Sequence, residues 1–306
     1  MTSKKFVIRT AGVVIVFTMV YGAVNAYVDP FGLFRAKNEI GIWTREKTTK
    51  YLLSFKYIPD NFNGVLIGPS VSANLNTKHL DAAKIYNLSM NGGNISEIKY
   101  PTDNVLKCSR MKCMIICLYP YLTKNSGLKG SQIDKKEYWG SVFSLLPIKV
   151  YLIRFLKRFS KKPDPFHDSS WGYSDFNVFK KNVNFKEIIK RKNVLPGSID
   201  TVAIDTIALS ELKSVINLAH DRNVKVVAYY FPIYYDFFKG YTHHAWLYYQ
   251  TEMNKLFNEN DMVWDMNTPE FDYIRKDMEA YSDGHLSNQG AAEVLKVIDE
   301  KLAGLL

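Results

Sequence analysis

The chain has 306 residues, enough for one large domain or two small ones. Hydrophobic residues make up 47% and charged residues 23%, which excludes a disordered or fibrous chain. The formal net charge is +10, yet no motif that reads RNA or DNA accompanies it, so nucleic acid is not an expected partner.

Lys4, Lys5 and Arg9 precede an uncharged run from Thr10 to Val28. At 1.5 Å per residue this run makes a helix of about 28 Å, close to the roughly 30 Å hydrocarbon core of a bilayer. Basic residues stand before it and the first acid, Asp29, after it, which places the amino terminus in the cytoplasm. The expected organisation is a basic flank over 1–9, a transmembrane anchor over 10–28 and a membrane-proximal connector over 29–60. An exported domain, periplasmic or extracellular, then fills 61–306. A cleaved signal peptide is the competing reading, with Val24-Asn25-Ala26 as a small-residue cleavage site. A buried core helix is the third, and the one-sided basic flank argues against it. The aromatic stretch Tyr27-Val28-Asp29-Pro30-Phe31-Gly32-Leu33-Phe34 suits a membrane interface, so lipid is an expected partner.

Beyond residue 60 the chain alternates strands and helices. Gly64-Val65-Leu66-Ile67-Gly68 reads as a strand buried on both faces, entering a turn at Pro69-Ser70. Asn76 to Ala83 reads as a short helix, and Lys84 to Ser89 as a second strand that breaks at Asn91-Gly92-Gly93. Asn94 with Glu97 three residues on forms a capping-box pattern for a helix to Leu106. Lys112 to Tyr119 is a third strand, on which Cys113 and Cys117 share a face as small core residues. The three cysteines, Cys108 included, are too few for a disulfide scaffold, and no ligand spacing suggests a metal. Ile204 to Arg222, Tyr241 to Phe257 and Asn288 to Leu305 read as helices. Lys225 to Tyr230 and Met262 to Met266 complete five strands. The expected fold is an α/β, flavodoxin-like, doubly wound parallel five-stranded sheet.

A helical insertion over about 120–200 interrupts this rhythm. Within it, Leu145 to Phe159 mixes large apolar residues with Lys149, Arg154, Lys157 and Arg158. Three readings fit that composition: an interfacial helix on an anionic bilayer, a lid over a site, or an insertion helix with a solvated basic face. Asp168 to Tyr173 reads as a loop with an exposed aromatic element lining a cleft. His243-His244 are adjacent on a helix and point in different directions, so they do not make a metal pair.

Ser70 stands just past the carboxyl end of the first strand, where open α/β sheets place their ligands. Tyr281-Ser282-Asp283-Gly284-His285-Leu286-Ser287-Asn288 supplies a histidine in a glycine-containing loop, next to a carboxylate and directly before the last helix. Imidazole is a suitable general base, and a neighbouring carboxylate orients it. The plain alternative is a turn in which Asp283 and Ser287 only make turn and capping bonds.

Taken together, Gly68-Pro69-Ser70, Asn91-Gly92-Gly93 and Asp283-Gly284-His285 resemble the blocks of the SGNH (GDSL-like) hydrolase superfamily. The resemblance covers roughly 60–120 and 200–306. More narrowly, the chain looks like membrane-anchored, exported SGNH-like proteins with an aromatic Asp-Pro-Phe-Gly stretch, many of them linked with polysaccharide O-acylation. The resemblance implies Ser70 as nucleophile, His285 as its base and Asp283 as the orienting acid. The N–H groups of Ser70 and of Gly92 or Gly93, with Asn91 beside them, would form the oxyanion hole. It implies no cofactor and no metal.

Two departures stand out. The family's third block supplies an asparagine after the third strand, where this chain has Leu118-Tyr119-Pro120-Tyr121. Asn125, Asn91 and Asn94 are the candidates to replace it. The family's acid lies three residues before the histidine, at Ser282 here, so Asp283 is one residue late and Asp265 is a reserve. The expected activity is a serine esterase or O-acyltransferase acting outside the cytoplasm on an acylated glycan or similar surface polymer. A transferase would draw its acyl group from a membrane-bound acyltransferase partner. The rival expectation is a non-catalytic SGNH-like scaffold or glycan-binding component of an export complex.

Overall fold

The structure is a computed structural model, and it describes residues 3–35, 45–124, 133–159, 167–174, 184–282 and 284–305. Its centre is a five-stranded sheet in the order β2-β1-β3-β6-β7, with every pairing parallel. The strands are β1 (Gly64–Ile67), β2 (Ile85–Asn87), β3 (Cys113–Leu118), β6 (Lys225–Tyr230) and β7 (Met262–Asp265). β1 and β3 are buried along their whole length, as central strands covered by helices on both faces must be. The expected doubly wound α/β fold is therefore present, with strand bounds within a residue or two of the apolar runs.

The helices that cover the sheet follow the caps written in the sequence. α7 (Thr206–Asp221) starts at Asp205, whose carboxylate accepts from the N–H groups of Ile207 and Ala208. α8 (His243–Asn254) is capped by Thr242 and α9 (Asn288–Ala303) by Ser287. α4 (Ile95–Leu106) lies between β2 and β3 and packs on α7.

The expected capping box at the start of α4 does not form. Asn94 makes no side-chain cap, and its amide donates to Lys124 O instead. The Glu97 carboxylate pairs at 2.7 Å with Lys47 on α2 (Glu46–Leu53). A charged partner 50 residues away outcompetes the local bond. The helix expected over Asn76–Ala83 is also absent. The chain instead forms α3 (Ser70–Ala73), followed by a single 3-10 turn at Thr77–His79 that Asn76 caps.

Among the described residues, one helix is long and apolar enough to cross a membrane: α1 (Ser3–Val28). It begins within the basic flank and carries Lys4, Lys5 and Arg9 on its first turns. The insertion contributes α5 (Glu137–Phe143), α6 (Leu146–Phe159), the helix Phe185–Lys192 and a two-stranded hairpin, β4 (His167–Asp168) with β5 (Tyr173–Ser174).

That hairpin corrects the reading of Asp168–Tyr173 as a cleft-lining loop. Asn87 N–H donates to Trp171 O at 2.9 Å, and the Trp171 ring meets Phe62 edge-on at 5.2 Å. The turn thus covers the exposed edge of β2, the position where a sheet would otherwise present unpaired backbone.

Candidate active site

In a doubly wound sheet the ligand crevice lies beyond the carboxyl ends of the strands, where the strand order reverses. Here that point is between β1 and β3. β1 ends at Ile67, and Gly68 follows it without a side chain for a specific reason. A Cβ there would sit 2.7 Å from Cys117 Cβ and 2.3 Å from Ser72 Oγ. Pro69 then takes an extended conformation, and Ser70 opens α3. The sequence reading of a sharp turn is right about direction, but the chain enters a helix one residue after the proline.

β2 holds α3 in place. The buried Asn87 side chain donates to Ser72 O at 2.8 Å and Leu75 O at 2.9 Å, and its Oδ1 accepts from Ser89 N–H at 2.9 Å. Ser72 Oγ lies within hydrogen-bond reach of Pro69 O at 3.0 Å and of Ser89 Oγ at 2.9 Å. Every polar atom of that amide is used to fix the strand end against the serine helix, a role that sequence reading assigned to no residue.

The histidine arrives from the far end of the chain. Tyr281 and Leu286 form an antiparallel bridge, and Ser282 N–H donates to His285 O at 3.0 Å, closing a tight loop. Asn74, just after α3, donates to Leu286 O at 2.7 Å, and the Tyr281 hydroxyl donates to Pro232 O at 2.9 Å. These two bonds tie the loop to both walls of the crevice. The result is a contact of 3.2 Å between His285 Nε2 and Ser70 Oγ, across 215 residues of chain. That distance lies at the outer edge of a nucleophile–base hydrogen bond.

Of the other expected site residues, Gly92 lines the same cleft. Its φ is +56, and its N–H makes no hydrogen bond among the described residues. The Ser70 N–H makes none either. By contrast, Asn91 N–H donates to Glu46 Oε2 at 3.1 Å and Gly93 N–H to Met90 O at 3.1 Å. Both are already committed, whereas the Ser70 and Gly92 N–H groups make no hydrogen bond among the described residues. The loop is held by α2: Lys50, fully buried, donates to Ser89 O and pairs with Glu46 at 3.1 Å, and Lys47 donates to Gly92 O at 3.4 Å.

Asp283 and Asn125 lie outside the described residues. Asp265 does not serve as a reserve acid. Its two oxygens accept from Gln250 Nε2 at 2.8 Å, Trp246 Nε1 at 3.3 Å, and the backbone and side chain of Asn267 at 2.7 and 2.9 Å. Asn267 in turn holds Ile233 N–H and Phe231 O, so Asp265 supports a cleft wall from behind. His243 and His244 are exposed at the start of α8, away from this cleft, and no group of potential metal ligands occurs among the described residues.

The cleft around Ser70 and His285 has a volume of about 470 Å³. Where the third block would bring asparagine, Tyr119 and Tyr121 line it, together with Phe231, Tyr234, Phe237 and Tyr241. Burial pushes the Tyr119 and Tyr241 phenols up, so they are neutral hydrogen-bond donors at physiological pH. Lys192 also reaches the cleft, its ammonium 4.7 Å from the Phe237 ring centre. These aromatics went unassigned in the sequence, although their signal is visible: the run Phe231 to Phe238 follows a strand at its carboxyl end. No residue from 133 to 159 lines the cleft, so α6 is not a lid over it.

No protein-family profile matches the chain, and no curated protein matches it. Among solved structures it is similar to a Streptococcus pneumonia protein provisionally described as a platelet activating factor. The identity is 12%, the match covers 84% of this chain and 91% of that one, and the TM-score is 0.44.

Proposed function

We propose that the protein is a membrane-anchored, SGNH-like serine esterase or O-acyltransferase. Its α/β domain, residues 61–306, works outside the cytoplasm on an acylated surface or exported polysaccharide. The observation that carries this reading is the 3.2 Å contact between Ser70 Oγ and His285 Nε2 inside an aromatic cleft at the switch point of the sheet. The order of the three sequence blocks and the apolar length of α1 support it.

The chemistry follows from the positions of the groups. Ser70 Oγ attacks the ester carbonyl while its proton passes to His285 Nε2. The carbonyl oxygen becomes an oxyanion that accepts from the N–H groups of Ser70 and Gly92, donors that are fixed before the charge develops. Collapse breaks the bond to the leaving alcohol, and His285 returns the proton to that oxygen. Water or a sugar hydroxyl then attacks the acyl-serine, giving up its proton to His285, and Ser70 leaves with that proton restored. Asp283 would steady the imidazolium. The choice of acceptor separates esterase from transferase; a transferase would receive its acyl group from a membrane-bound acyltransferase. The aromatic walls suit the apolar faces of sugar rings, and the neutral phenols suit their hydroxyls.

The test is acyl release from an O-acetylated polysaccharide by the purified full chain, with and without an acceptor glycan. Ser70→Ala is expected to abolish release or transfer. If Ser70→Ala keeps full function in the cell and no acyl chemistry is found, the reading gives way to a glycan-binding scaffold.

A further inference from the structure

We infer that α6 is a second membrane contact, lying in the outer interface of an anionic bilayer with its apolar face among the lipid. The inference rests on α1 crossing the membrane, as proposed above. It adds that the α/β domain is seated at a fixed height and tilt rather than swinging on a tether.

The geometry begins at the end of α1. Only Gly22 and Asn25 of that helix are buried. Gly22 is in contact with α5, and a Cβ there would meet the Phe143 ring at 2.3 Å. Asn25 Nδ2 donates to Val142 O at 2.6 Å, its Oδ1 accepts from the Tyr151 hydroxyl of α6 at 3.0 Å, and the Tyr21 hydroxyl donates to Ser144 O at 2.6 Å. An amide within an otherwise apolar helix is thus satisfied by protein, which is what lipid surroundings require.

These bonds set a depth. Tyr21 lies seven residues before the end of α1 at Val28, or about 10 Å along the helix axis. The corner between α5 and α6 is therefore carried back alongside the apolar helix, to the depth of roughly 5–10 Å at which interfacial helices lie. There α6 exposes Leu145 (just before its first turn), Ile148, Leu152, Phe155, Leu156 and Phe159, which share one face at helical spacing, while Val150 on the other side is buried in the protein. A contiguous apolar face of this kind is rare on surfaces that meet only water. The sequence of α6 contains four basic residues and no acid, a composition suited to anionic headgroups. Trp139 of α5, 65% exposed, adds the aromatic type that favours the interface.

A spin-label scan of the full chain in vesicles containing anionic lipid tests this. Cys108→Ser removes the half-exposed thiol, and single cysteines follow: Phe17→Cys, Ile148→Cys, Leu152→Cys, Phe155→Cys and Leu156→Cys. Collisions with a water-soluble nickel chelate are expected to be lost at 148, 152, 155 and 156, where collisions with oxygen persist. Chelate access at all of these positions, or shielding from both agents as under a protein cover, would overturn the inference. Phe17→Cys separates the two layers. Lipid exposure at 17 with water at 152 leaves the anchor standing and removes the second contact, and water at 17 removes both.

Discussion

Asn74 is the side chain whose loss best separates positioning of the site from stability of the fold. It follows α3, four residues after Ser70, and its amide donates at 2.7 Å to the carbonyl of Leu286, the neighbour of His285. The side chain is 1% exposed, and its Oδ1 has no partner among the described residues. Asn74→Ala removes one buried donor and leaves the Leu286 carbonyl dry, at a cost of about 1–3 kcal/mol. Deleting the orphaned Oδ1 offsets part of that, so a net loss of about 1–2 kcal/mol, or roughly 2–8 °C in Tm, is expected. The effect on rate should be larger. The His285 loop loses its link to the serine helix, and a displacement of about 1 Å at the reacting atoms costs about 100-fold. The assay is the rate of covalent modification of Ser70 by a fluorophosphonate, alongside thermal unfolding. Ile98→Val, buried in α4 and expected to cost about 0.5–1.5 kcal/mol, is the matched control. If Asn74→Ala slows modification no more than Ile98→Val does, the bond is structural only and the positioning argument fails. Asn74→Asp, which sets a carboxylate against a carbonyl, should be worse than alanine in both readouts.

Three further expectations concern the frame of the site. Gly68→Ala forces a methyl to within 2.7 Å of Cys117 Cβ, a strand atom that cannot swing away, so a loss of about 1–3 kcal/mol should appear in chemical denaturation. Lys50→Ala leaves Glu46 without its buried partner and should cost about 3–5 kcal/mol, whereas Lys50→Met, which refills the volume, should recover part of it in thermal unfolding if packing matters there as well as charge. Burial pushes the Cys113 and Cys117 thiols up to about 12. At pH 8 iodoacetamide should modify Cys108 alone in the native chain and all three free cysteines after unfolding. A folded thiol value above the unfolded one, roughly 8.5, stabilises fully below that pH and progressively less as pH climbs toward 12. Stability should therefore fall across that window, and a flat profile there would count against the buried placement.

The sheet was legible because its strands are continuous apolar runs that end in glycine, proline or asparagine. Lys225 to Tyr230 is recovered to the residue, and β1 and β3 to within one. The helices with side-chain caps at Asp205, Thr242 and Ser287 were legible to within a few residues for the same local reason. What sequence misjudged are the places where distant partners overrule local chemistry. Glu97 pairs with Lys47 rather than capping its own helix, and Asn94 turns to Lys124. Trp171 pairs with the edge of β2 rather than facing a cleft. Asp265 has the residue type of a catalytic acid, but four donors consume it as a brace for Asn267. The blocks at strand and helix ends singled out Ser70 and His285, whose side chains the fold brings to 3.2 Å. The bonds of Asn74 and Asn87 that hold them were invisible, because they join segments whose separation is set only by folding. The aromatic wall was hidden for another reason: in a chain with 20 Tyr and 18 Phe, a run of rings after β6 does not stand out.

The central claim is that Ser70 is a nucleophile activated by His285. Its most direct measurement is peptide-level mass analysis of the full chain after treatment with a fluorophosphonate, for the native sequence, Ser70→Ala and His285→Ala. One adduct per chain is expected, on the peptide carrying Ser70, absent from Ser70→Ala and formed at least about a hundredfold more slowly in His285→Ala. An adduct that survives Ser70→Ala, or a native chain that stays unmodified while folded, would contradict it.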